Sequence, residues 1–162
     1  MPGLSMTRPD NTSSRLLENR LPMPASDAVA AIILVDEKSY FLQLRDNKPS
    51  IYYPGHWGLF GGAVETGEDD LTAIRRELQE ELNLEPKNIS YFTEFTFDMT
   101  PIGEKRIYRR FFEVRLADSD IVGLVLREGS AMGAFAPDEA FALRLTPYDS
   151  FALWMHYMKV QV

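Results

Sequence analysis

The segment from Gly61 to Leu84 constrains this chain more than any other. It begins with a glycine pair, Gly61-Gly62, and runs through a polar loop into a stretch with helical spacing. Leu71, Ile74, Leu78 and Leu82 recur every three or four residues, which predicts a helix over Asp70 to Leu82 with one buried stripe. Asp69 is placed to cap its first turn and Asp70 to complement the dipole. Asn83 is suited to the left-handed conformation that ends helices. At about 100° per residue, Glu77, Glu80 and Glu81 fall within an arc of about 100° beside the apolar stripe. Like charges at such positions oppose helix formation by roughly 0.2–0.5 kcal/mol per pair. A divalent cation offsets that repulsion directly, and carboxylates are the ligands that magnesium and manganese prefer. Alone, Glu-x-x-Glu-Glu reads more simply as a solvated helix face, so the surrounding residues decide the matter.

Composition narrows the alternatives. The chain has 162 residues, enough for one domain with its own core. It has no cysteine, which excludes disulfides and thiolate metal sites, and only two histidines, too few for a histidine-rich zinc centre. A metal site must therefore use oxygen ligands. A formal charge of −7 argues against a face for duplex nucleic acid. No apolar run approaches the length of a membrane span, and the first residues hold no signal core, so a cytoplasmic location is expected. Residues 1–25 read as a loosely packed arm preceding a domain over 26–162. The alternative is that the arm pairs with a second copy in a homodimer.

The other elements are shorter. Ala28 to Val35 and Tyr40 to Arg45 predict a strand hairpin across Asp36 to Ser39. Asp46 to Gly55 is a loop, and Trp57 to Phe60 a brief strand. Ile89 to Phe97 and Arg106 to Arg115 predict two further strands. Ile121 to Arg127 predicts another, weakened by Gly123. Pro147 to Lys159 predicts a closing helix. Strands on both sides of a central helix point to an α/β fold, a mixed sheet between helices.

The flanks of the glutamate cluster supply the missing context. Gly62, five residues, Glu68, seven residues, Arg76-Glu77, an apolar residue, one residue, Glu80-Glu81, one residue, Asn83 and apolar Leu84 follow in order. This resembles the box of the Nudix hydrolases, the MutT-like family. Only the final glycine differs, replaced by Asn83, which tolerates the same backbone conformation. The order of elements resembles the whole domain from about residue 25 onward, which implies the α/β/α sandwich with a loop-helix-loop catalytic motif.

The resemblance implies an enzyme that uses Mg2+, with Mn2+ as the alternative, to hydrolyse a phosphoanhydride bond in a nucleoside diphosphate derivative. Glu80 and Glu81 would be the central metal ligands, completed by the carbonyl of Gly61. Glu77 would be a further ligand or would position water, Arg76 would hold Glu77, and Glu68 would brace the loop. Glu128, beside Gly129, matches a later acidic ligand found in many members, and Arg45 a phosphate-binding arginine. Among the aromatic residues before the box, Tyr52, Tyr53 and Trp57 are expected to contact substrate, the tyrosines best placed to stack on a base. His56 is expected to pack the loop. A nucleoside triphosphate is the first substrate expectation, and ADP-ribose or a nucleotide sugar the second. A non-catalytic nucleotide-sensing module on the same fold is a competing class, disfavoured because every glutamate of the box is retained.

Overall fold

The computed structural model describes residues 26–160. Its elements are β1 (Ser26–Val35), β2 (Ser39–Leu44), β3 (Trp57–Gly58), α1 (Asp70–Leu82), β4 (Ile89–Asp98), a 3-10 turn (Thr100–Ile102), β5 (Arg106–Leu116), α2 (Asp118–Ile121), β6 (Ala131–Phe135), α3 (Pro137–Ala142) and α4 (Pro147–Val160). The expected arm, with its dimer alternative, lies outside the described residues. Among those residues no helix is long and apolar enough to cross a membrane.

The sheet is mixed. Strand order runs β3-β2-β1-β5-β4, with β6 also paired to β2. β1 and β5 are parallel over their whole length, from Ser26↔Ile107 to Val35↔Leu116, whereas β4 is antiparallel to β5. Residues 29 to 35 of β1 are all buried, because both faces of the strand are covered. Val29, Ala31, Ile33 and Val35 pack with Ile74, Leu78 and Leu82 of α1. Ala30, Ile32 and Leu34 pack with Ala152 and Leu153 of α4. Period-two alternation thus divides one apolar run between two cores, and the result is an α/β/α sandwich. The β1–β2 hairpin turns through Asp36, Glu37 and Lys38: Lys38 N donates to Val35 O at 3.0 Å, and Asp36 and Glu37 between them take positive φ, 49° and 58°.

Three expectations are corrected. Leu71 is 44% exposed, while Ala73 and Glu81 belong to the buried set of α1; the acidic arc therefore overlaps the buried stripe instead of flanking it. The strand expected over Ile121 to Arg127 does not form. α2 ends there, and the following extended run donates from Val125 N to Leu82 O at 3.1 Å and from Arg127 N to Glu81 O at 2.8 Å. Those carbonyls end a helix and have no partner within it, so they take amides that a sheet would otherwise use. β6 was not expected: its sequence, Ala-Met-Gly-Ala-Phe, is short and carries a glycine.

Candidate functional site

The site begins with a loop strapped to β1. Val29 N donates to Gly62 O and Ala31 N to Phe60 O, both at 2.9 Å. Between these anchors, Gly61 N donates to Glu81 Oε2 at 2.8 Å. Gly61 has φ +136°, and a Cβ there would meet Val29 O at 2.2 Å, so only glycine fits. A Cβ on Gly62 would meet Glu77 Oε1 at 2.6 Å. The glycine pair thus lets backbone lie directly against two helix carboxylates.

α1 presents these acids from a helix capped at both ends. Asp69 accepts from Thr72 N at 2.9 Å at one end, and Asn83 closes the other at φ 55°. Arg76 ties the helix to the loop. Its guanidinium grips Glu68 with both arms, at 2.9 and 3.0 Å. It also reaches Glu77 at 2.8 Å, Ala63 O at 2.9 Å and Glu80 at 3.3 Å. Such a fork fixes geometry as well as charge.

The acids differ in electrostatic state. Arg76, with the Glu65 amide, holds Glu68 below the usual carboxylate range. Burial raises Glu77, opposed by Arg76 and reinforced by Glu80 and Glu128. Glu81 is 5% exposed, and burial pushes it up to about 8, against the Gly61 amide and with the charges of Glu77 and Glu128. Gln43 steadies Glu81: its Nε2 donates to Leu59 O at 3.1 Å and lies 3.5 Å from Glu81 Oε1. Glu80 is turned outward, its side chain 60% exposed. Among the described residues, no three acidic or imidazole side chains converge as a ready-made ligand set. Arg76 engages Glu77 and Glu80 instead.

A cavity of about 630 Å³ opens beside them, a volume typical of small-molecule sites. Gln43, Gly61, Gly62, Glu81 and Glu128 line one part, while Arg45, Lys48 and Arg127 bring positive charge to it. Arg45 Nε donates to Tyr52 O at 2.8 Å, and both residues line the cavity. Tyr53 and Trp57 do not, contrary to expectation. Tyr53 packs edge-on against His56 and Tyr148. Trp57 packs against Phe135 at 4.9 Å on the α4 side. Their position in a loop and a strand end gave no information about which way they would face. His56 donates to Pro54 O and accepts from Arg144, a loop-packing arrangement. Glu68, Arg76, Glu77 and Glu80 stand on the helix and loop beside the cavity, outside its lining. Sequence reasoning missed Gln43, Lys48, Arg109 and Arg127 as cavity residues. The signal for two of them was a polar side chain inside an apolar strand.

The family profile of the NUDIX domain matches residues 25–157. The nucleoside triphosphatase NudI of Salmonella agona is 41% identical over 66 residues, 40% of this chain. The matched stretch spans 45% of that relative's length. Among solved structures, the MutT protein of Methanosarcina mazei superposes with a TM-score of 0.71 at 19% identity, covering 88% of this chain and 99% of that one. The NUDIX domain of Shewanella oneidensis NrtR, solved with ADP ribose, also gives 0.71, at 16% identity over 92% of this chain and 99% of that one. With the domain matched along most of its length, the chain belongs to the Nudix hydrolase family.

Proposed function

We propose that this chain hydrolyses the phosphoanhydride bond of a nucleoside triphosphate with the help of a divalent cation, Mg2+ or alternatively Mn2+. The observation that carries the reading is Glu81. It is a buried carboxylate on a cavity wall, raised further by Glu77 and Glu128. Among the described residues no lysine or arginine forms an ion pair with it. A buried acid without a counter-charge is unfavourable, and a hard cation is the partner that an all-oxygen donor set suits. The residues fit such an ion. Glu81, Glu80, Glu77 and the carbonyl of Gly61 would hold it, with Glu128 as a further acid. β1 takes the carbonyls on either side, those of Phe60 and Gly62, and not that of Gly61.

Such a cation would supply charge that neutralises the polyphosphate and makes water more acidic. The chain's own groups do the rest. Arg76 sets the position of Glu77, which accepts the proton of the attacking water or orients that water. Arg45, Lys48 and Arg127 attract the phosphates and share charge as the bond breaks. Tyr52 offers a face to the attached base. The likeness to a nucleoside triphosphatase supports this substrate class ahead of ADP-ribose.

The test is a nucleotide panel, ADP-ribose included, assayed for phosphate and pyrophosphate release with and without Mg2+. Wild type should turn over a triphosphate only with the metal, and Glu80→Gln should abolish turnover while its circular dichroism stays native. Near-normal turnover in that variant removes Glu80 from the metal shell. No metal-dependent product from any substrate refutes the reading.

A further inference from the structure

The cavity has a second part that the anhydride chemistry does not use. Ile107 and Arg109 of β5 and Tyr148 at the start of α4 line it. By strand alternation Arg109 shares the α4 face of the sheet with Phe111, whereas Glu81 approaches from α1. The cavity therefore runs from the acidic cluster around to the opposite side of the sheet.

Arg109 is an unusual residue for a strand interior. It is 7% exposed, and its guanidinium lies 5.1 Å over the Tyr148 ring. Its nearest acid, Asp149, is fixed elsewhere, accepting from Leu59 N at 3.0 Å and from the Thr146 hydroxyl at 2.8 Å. The remaining Asp149 oxygen stands 3.5 Å from Arg109 Nη2. Neither that oxygen nor Arg109 Nε has a hydrogen-bond partner. Asp149 thus balances the arginine's charge without satisfying its Nε. A buried donor left open is costly, and Arg109 Nε belongs to a side chain that lines the cavity.

From this geometry we infer that Arg109 selects the base of the substrate, donating to the keto oxygen of guanine or uracil and rejecting the amino group of adenine or cytosine. A charge-balanced guanidinium favours a neutral acceptor over a further anion. Guanine presents O6 and N7 as a pair of acceptors that matches the guanidinium fork, and uracil presents O4. Adenine and cytosine set an amino donor against it. Ile107 and Tyr148 supply apolar surface for a flat ring. The inference rests on the proposed nucleotide chemistry and names the base that chemistry acts on.

The experiment is calorimetric titration of the full chain, in EDTA, with GMP, UMP, AMP and CMP, which have no anhydride bond. The keto nucleotides should bind roughly tenfold more tightly, or better. Arg109→Lys keeps the charge but lacks the fork and should shrink that preference, while Arg109→Gln should favour AMP. The ratio of kcat/KM for GTP to that for ATP should move in parallel. Equal binding of all four, no binding of any, or a preference unchanged in Arg109→Lys overturns the inference and leaves Arg109 a structural tie between β5 and α4. Keto-selective binding without any hydrolysis refutes only the proposed activity. Hydrolysis without keto selectivity refutes only this inference.

Discussion

Glu81→Gln should stabilise the metal-free protein while removing its activity. Burial, reinforced by Glu77 and Glu128, lifts the Glu81 carboxyl from 4.5 to about 8. The group therefore holds its proton in the folded state and loses it in the unfolded state between those pH values. The unfolded chain binds fewer protons there, so stability falls as pH rises from about 4.5 and levels off once the folded-state carboxyl is ionised. At about 1.36 kcal/mol per pH unit, the loss is about 3 kcal/mol by pH 7 and about 5 kcal/mol by pH 9. Glutamine resembles the protonated acid in shape and keeps an acceptor for Gly61 N, so the variant escapes this loss. At roughly 2–4 °C per kcal/mol for a protein of this size, its Tm at pH 7 should exceed that of wild type by roughly 6–12 °C. The assay is thermal unfolding of both proteins in EDTA from pH 5 to pH 9. Added Mg2+ should raise the wild-type Tm and leave the variant nearly unchanged. A variant no more stable than wild type, or a gap that fails to widen from pH 5 to pH 8, would show that Glu81 is not an uncompensated buried acid.

Other substitutions probe the supports of the site. Gly61→Ala places a Cβ 2.2 Å from Val29 O at a φ that alanine avoids; a loss of roughly 3 kcal/mol or more is expected in urea unfolding. Arg76→Lys removes the two-armed grip on Glu68, and kcat/KM should drop roughly 10–100-fold with the far-ultraviolet spectrum unchanged. His156 lies buried between Tyr40 and Glu113, at 3.0 and 2.8 Å, and burial lowers its pKa from 6.5. Its contribution is thus present above pH 6.5 and lost as pH falls through the lowered value. Glu81→Gln should therefore lose stability on acidification below pH 6.5, and adding His156→Gln should flatten that slope. Working in the Glu81→Gln background keeps the two opposite slopes from cancelling.

What the sequence revealed was what local rules determine. The helix with its Asp69 and Asn83 ends, the first hairpin and the closing helix all follow from periodicity and cap chemistry within a few residues. β6 did not, because Ala131 to Phe135 has no alternation and gains its place only by pairing with β2. The Arg76–Glu68 fork spans eight positions through a loop whose path is set by β1, so spacing alone did not announce it. Facing was the hardest property to read. Tyr53 and Trp57 sit near the box in sequence but turn to the α4 side. Arg109, far along the chain, reaches the cavity because β5 runs parallel beside β1. That pairing sets Arg109 opposite Ala28, which in turn bridges Ala63 of the loop.

The end of α1 shows how the fold and the acid cluster constrain each other. No basic side chain stands in its last turn to offset the exposed carbonyls. The run after α2 supplies amides instead, to Leu82 O and Glu81 O. The second of these bonds is donated by Arg127, so the next residue, Glu128, is held at the cavity beside Glu81. Its charge is one of the causes that raise Glu81. Satisfying the helix terminus therefore delivers another acid to a place already short of counter-charge. A fold optimised for stability alone would place a lysine or glycine there. Without a cation the crowding is relieved by the proton that Glu81 keeps up to about pH 8; under the proposed function a divalent ion would take that proton's place, so that ion binding and stability would be coupled.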